Sequence, residues 1–118
     1  FEMMIEVNEK EYELNFGLGF ISRLDEIYKV EENGLAFGVG LETAIAYLKM
    51  RNPVGLLNVI KAAMHHLKSK PSNKKIDEFL ESKAETDELE QVFEEVEENL
   101  RHEPFTKKKV NEVEGNLG

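Results

Sequence analysis

Apolar and polar residues alternate with a period of two near the start of the chain, then change to a helical period. Ile5 and Val7, then Tyr12, Leu14 and Phe16, alternate with charged or amide residues, and Asn8-Glu9-Lys10 stands between the two sets as a turn. This is the pattern of a β-hairpin with one apolar face, over residues 4–16. Past Gly17-Leu18-Gly19, the residues Phe20, Ile21, Leu24, Ile27 and Tyr28 recur on one side of a helix. An isolated two-stranded hairpin is marginal in water. Its apolar face is therefore expected to cover something, and the helix that follows is the nearest candidate.

The same reading continues along the chain. The first helix is expected over residues 18–30, with Glu31-Glu32-Asn33-Gly34 as its stop, because Asn and Gly accept positive φ. Residues 35–40 read as a loop, with Phe37 as a core plug between small residues. A second helix over residues 41–50 buries Leu41, Ala44, Ile45 and Leu48. Asn52-Pro53 caps and starts a third, whose Leu56, Ile60, Ala63 and Leu67 step by four, three and four. Lys70-Pro71 ends it, and Ser72 or Asn73 caps a fourth helix with Ile76, Phe79 and Leu80 inward. Thr86-Asp87 reads as the start of a fifth, with Asp87 and Glu90 as a capping-box-like pair. Its Leu89, Phe93, Val96 and Leu100 again step by four, three and four, among faces rich in Glu. That is the narrow seam of a helix packing into one groove. Glu103-Pro104 closes it.

The expected fold class is thus mainly α: a small helical domain of about five helices with a short N-terminal β-hairpin. Residues 1–104 form one domain, with the hairpin at 4–16, and residues 105–118 read as a flexible C-terminal tail. A chain of 118 residues buries roughly two-thirds of its extended surface, enough for one core.

Charge changes the picture more than composition does. The formal net charge is −9. Residues 1–80 carry 12 acids and 10 bases, whereas residues 81–118 carry 12 acids and 5 bases. Between Thr43 and Lys75 there is no acid, only the bases Lys49, Arg51, Lys61, Lys68, Lys70, Lys74 and Lys75. Solvated helices usually mix signs, so two single-sign blocks suggest that they meet. They can do so within one chain or between chains.

Candidate chemistry is sparse. With no Cys, disulfides, thiol nucleophiles and Cys-ligated zinc are excluded. The P-loop, HExxH and GxSxG motifs are absent. Gly17-Leu18-Gly19 looks superficially like a phosphate-binding turn, but it lacks the third Gly and the βαβ context. His65-His66 is the only histidine pair, and adjacent helical residues point about 100° apart, so no metal or other cofactor is expected. The carboxylates of residues 81–98 line one surface in sequence rather than contrasting environments, so acid–base catalysis is not indicated. The acidic balance opposes nucleic acid. No apolar run approaches the ~20 residues of a membrane helix, and no secretory signal is visible.

The stretch MIEVNEKEYELNFGLGFISRLDEIY, residues 4–28, resembles the N-terminus of tail assembly chaperones of siphophages and prophages of Gram-positive bacteria. The shared features are the hairpin, the Gly-x-Gly turn, the helix carrying Leu24, Ile27 and Tyr28, a helical body and an acidic C-terminal part. The resemblance implies a protein of the host cytoplasm, absent from the mature virion. It implies no catalysis. It also implies that the protein binds and solubilises the tape measure protein and helps recruit tail tube subunits, and that it self-associates. The Lys107-Lys108-Lys109 run fits a slippery coding stretch of the kind that yields a longer frameshifted form in this family.

For partner binding, the expectation combines the seam of Leu89, Phe93, Val96 and Leu100 with the acids Glu88, Glu94 and Glu97. These would dock on the basic Lys49, Arg51, Lys61 and Lys68, in the next copy or in the same one. The alternative reading is a small non-catalytic protein-binding adaptor of phage or bacterial origin.

Overall fold

The computed structural model describes residues 2–117. Phe1, and Gly118 at the end of the expected tail, lie outside the described residues. Strands β1 (Met3–Val7) and β2 (Lys10–Leu14) pair antiparallel, with Ile5 opposite Tyr12. Asn8 and Glu9 both take positive φ, 54° and 66°, the signature of a two-residue turn whose twist matches the strands. Met3, Ile5, Val7 and Leu14 are buried. They face a different partner from the one expected: β1 lies chiefly beside the two helices of the C-terminal half described next as α4 and α5, not beside the helix that follows it. That helix, α1 (Leu18–Ile27), packs on α2 (Gly40–Lys49) and α3 (Pro53–Ala63). The hairpin thus closes the core from the far side and ties the start of the chain to α4 (Asn73–Glu85) and α5 (Leu89–His102).

The capping chemistry follows the sequence in two places. Asn52 accepts from the amides of Val54 and Gly55 and Pro53 opens α3, while Ser72 accepts from Lys75 at the start of α4.

It departs at Asp87. Asp87 has φ 60°, and the Glu88 amide bonds the Lys83 carbonyl. This is a left-handed cap ending α4, and the N-cap of α5 is Glu88. Asp87 therefore does not form a capping box with Glu90.

Two further corrections concern whole elements. The first helix stops at Ile27, and residues 28–40 are not a helix end and loop. They contain a second hairpin, β3 (Lys29–Glu32) with β4 (Leu35–Gly38), joined by Asn33-Gly34 at φ 53° and 78°. Every residue of both strands is exposed, so Phe37, expected as a core plug, stands in solvent at 49% exposure.

The segment expected as a flexible tail forms α6 (Lys107–Leu117), which lies across α2 and α5. Among the described residues the helices therefore number six, against the five or so expected. Val110 is buried and Val113 packs against the same core. An isolated helix of 11 residues is marginal in water, so this one owes its place to tertiary packing. Gly40 shows how closely α1 and α2 meet, since a Cβ there would run into the backbone of Leu24 and Asp25. The Gly40 amide also donates to Asp25 Oδ1 at 2.9 Å.

Candidate functional site

The seam of α5 is used inside the molecule. Phe93, Val96 and Leu100 are buried and Leu89 is partly buried against the same core, together with Val92. The hydrophobic stripe read from the sequence is real, and it faces the protein's own β1, α4, α2 and α6.

The charged blocks also meet within the chain, at one place. Arg51 follows α2 in the left-handed region, φ 55°, and this turns its side chain toward α5. Its Nη1 donates to Glu97 Oε1 at 2.8 Å and to the Leu48 carbonyl at 2.8 Å. Its Nε and Nη2 grip Glu90 at 2.8 and 2.7 Å. The guanidinium also stands over the Phe93 ring, 5.2 Å from its centre.

Glu97 is only 5% exposed, and its second oxygen lies 3.2 Å from Lys49 Nζ without hydrogen-bond geometry. Lys49 continues the chain of charges to Glu114 of α6, which also takes a bond from Arg101 Nη2 at 2.8 Å. The result is one ionic cluster clasping α2, α5 and α6.

Its electrostatics are consistent with that geometry. Arg101, aided by Lys49, holds the Glu114 carboxyl down from 4.5 to about 2, against the opposing effect of burial. The bond from Arg51 lowers Glu90, and the bond to Glu90 in turn holds the Arg51 guanidinium above its ordinary value. At the start of α5, the Thr86 hydroxyl and then Lys83 lower Glu88.

Of the residues expected to bind partners, Lys49, Arg51, Glu97, Phe93, Val96 and Leu100 are thus committed to the interior or to this cluster, and Leu89 is partly so. Glu88 is engaged locally with Lys83, 3.7 Å away. Glu94 and Lys68 are exposed and Lys61 is half-buried; Glu94 touches the edge of the cluster through its hydrogen bond with Glu90.

They mark two separate surfaces. Lys61 lines a concavity of about 150 Å³ with Arg23, His65, Lys70 and Ile76, a basic depression with an apolar floor. Glu94 lines a shallow acidic face with Glu2, Gln91, Glu95 and Glu98. Sequence reasoning missed a third feature, the projecting β3–β4 arm. Val30, Leu35 and Phe37 on it are 47, 61 and 49% exposed. The Asn33-Gly34 pair between two short strand-like runs is the signal that marks it.

Among the described residues no cluster of three or more His, Asp or Glu is arranged to hold a metal, and no helix is long and apolar enough to cross a membrane. The described surface presents separate basic, acidic and apolar faces on a small helical domain.

The phage tail assembly chaperone protein family, TAC, matches residues 4–114, and the chain belongs to that family. No curated protein and no solved structure shows a significant match to it.

Proposed function

We propose that the protein binds and solubilises the tape measure protein during tail morphogenesis and helps recruit tail tube subunits, acting without catalysis. It works in the host cytoplasm, in phages or prophages of the siphovirus type, and stays out of the mature virion. It works as several associated copies. The observation that carries this reading is the family match over residues 4–114, to which the surface adds physical support.

A protein that coats a long, aggregation-prone client needs exposed apolar contact points within a strongly charged, self-repelling surface. The β3–β4 arm supplies the first and the net charge of −9 the second. The contact residues on this reading are Lys61 and Lys68 on the basic side and Glu94 on the acidic side. Leu89, Phe93, Val96 and Leu100 serve by holding α5 so that its acidic face points outward.

Co-expression with the tape measure protein tests the proposal. The client is expected to move from the insoluble to the soluble fraction and to co-purify with the chain. A client that remains insoluble, or that dissolves equally without the chain, contradicts it.

A further inference from the structure

The β3–β4 arm has one open edge. At its base β4 lies against α1, where a Cβ at Gly38 would strike Asp25. The outer edge of β3 carries no such neighbour among the described residues. The phase of the ladder follows from the two-residue turn. Glu32 and Leu35 flank it, so they form a hydrogen-bonded pair, as do Val30 and Phe37 two residues further on. The bond from the Val39 amide to the Tyr28 carbonyl, 3.1 Å, continues the same alternation. The backbone groups of Lys29 and Glu31 therefore point away from β4, into solvent, and stand ready to pair.

We propose that β3 pairs antiparallel with β3 of a second copy about a twofold axis at Val30, joining two arms into a four-stranded sheet. This rests on the reading that copies of the chain associate, and it specifies the surface and the register.

A twofold axis normal to the sheet keeps each side chain on its own face. It can therefore be centred only on a residue of β3, which leaves four registers. Centring on Lys29 sets Lys29 against Lys29, and centring on Glu31 or Glu32 sets that carboxylate against itself, all unfavourable. Centring on Val30 sets Lys29 against Glu31 twice. It also makes those two pairs the hydrogen-bonded ones, with the two Val30 residues facing each other at the closer, non-bonded position. Phe37 is opposite Val30, so the row Phe37–Val30–Val30–Phe37 then runs unbroken across the joined sheet. Charge, hydrogen-bond phase and apolar continuity select the same register.

The chain has no Cys, which makes the test direct. In this register the Val30 Cα atoms lie roughly 4.5 Å apart, within disulfide reach. Under mild oxidation the Val30→Cys protein is expected to form a covalent dimer. The Leu35→Cys protein, more exposed but on β4, the outer strand of the joined sheet, should not. Lys29→Glu is expected to weaken dimerisation roughly tenfold, and Lys29→Glu with Glu31→Lys to restore it, because the double reversal recreates both pairs.

Linking at Leu35 as readily as at Val30, or no recovery in the double variant, overturns the register. A parent chain that sediments as a monomer at every concentration overturns the wider reading of self-association as well. An oligomer that persists unchanged in Lys29→Glu overturns this interface alone.

Discussion

Arg51 and Glu97 stand 46 positions apart in sequence, and their side chains meet at 2.8 Å, joining the end of α2 to the buried face of α5. Through this contact the basic middle of the chain and its acidic helix find each other within one molecule. Removing one partner leaves the other charge partly buried with fewer partners, Glu90 for Arg51 and Lys49 for Glu97. Glu97→Gln is expected to lower unfolding stability by about 1–3 kcal/mol, toward the lower end of the range for buried pairs because Arg51 keeps its bonds to Glu90. Urea denaturation is the check, with the midpoint shifted and the slope unchanged. In a double-mutant cycle, Arg51→Met and Glu97→Met together should cost less than the sum of the two alone.

The same cluster sets an acid limit on the docking of α6. Glu114 titrates at about 2 in the folded chain, against an ordinary 4.5. A carboxyl whose folded value is depressed contributes stability that is complete above its unfolded value and is lost as pH falls through the folded one. Stability should therefore decline between about pH 5 and pH 2. Glu114→Gln should be less stable than the parent at pH 7, with a shallower decline in that window. Unfolding free energies measured across the pH series give the comparison.

Thr106 is fully buried between α5 and α6, where its hydroxyl donates to the Leu100 carbonyl at 2.6 Å. Thr106→Val keeps the shape and strands that carbonyl. The expected cost is about 1–3 kcal/mol. Amide exchange should show the loss first along α6.

Asp87 predicts a gain. It holds φ 60° at the end of α4 while exposed, a conformation that glycine reaches without strain. Asp87→Gly is expected to stabilise the protein by roughly 0.5–1 kcal/mol, read as a rise in melting temperature. An Asp87 acting as a helix N-cap would instead make the same substitution neutral to destabilising.

These contrasts show what the sequence carried and where it was silent. The N-terminal hairpin, four helices and the α5 seam were legible because each has several apolar residues at one period, as in Leu89, Phe93, Val96 and Leu100. α6 was not, because its run of Lys, Asn and Glu reads as a solvated tail, and its place depends on Val110 and Val113 in the core and on Lys49 and Arg101 from elsewhere in the chain. The second hairpin was hidden for the opposite reason. It buries nothing, so Val30 and Phe37 gave no alternation against a core, and only Asn33-Gly34 betrayed it. The opposed charge blocks were visible as composition. That Lys49 and Arg51 are spent within the chain while Lys61 and Lys68 are not was invisible, since it turns on which side of α2 and α3 faces α5.

Solubility of the tape measure protein is the property on which the proposed function turns. The most direct measurement is the fraction of tape measure protein left in solution after dilution from denaturant, with and without purified chain. Aggregation is expected to be suppressed in proportion to added chain, with saturation at a fixed ratio. Equal aggregation at every ratio, with no complex recovered, would contradict it.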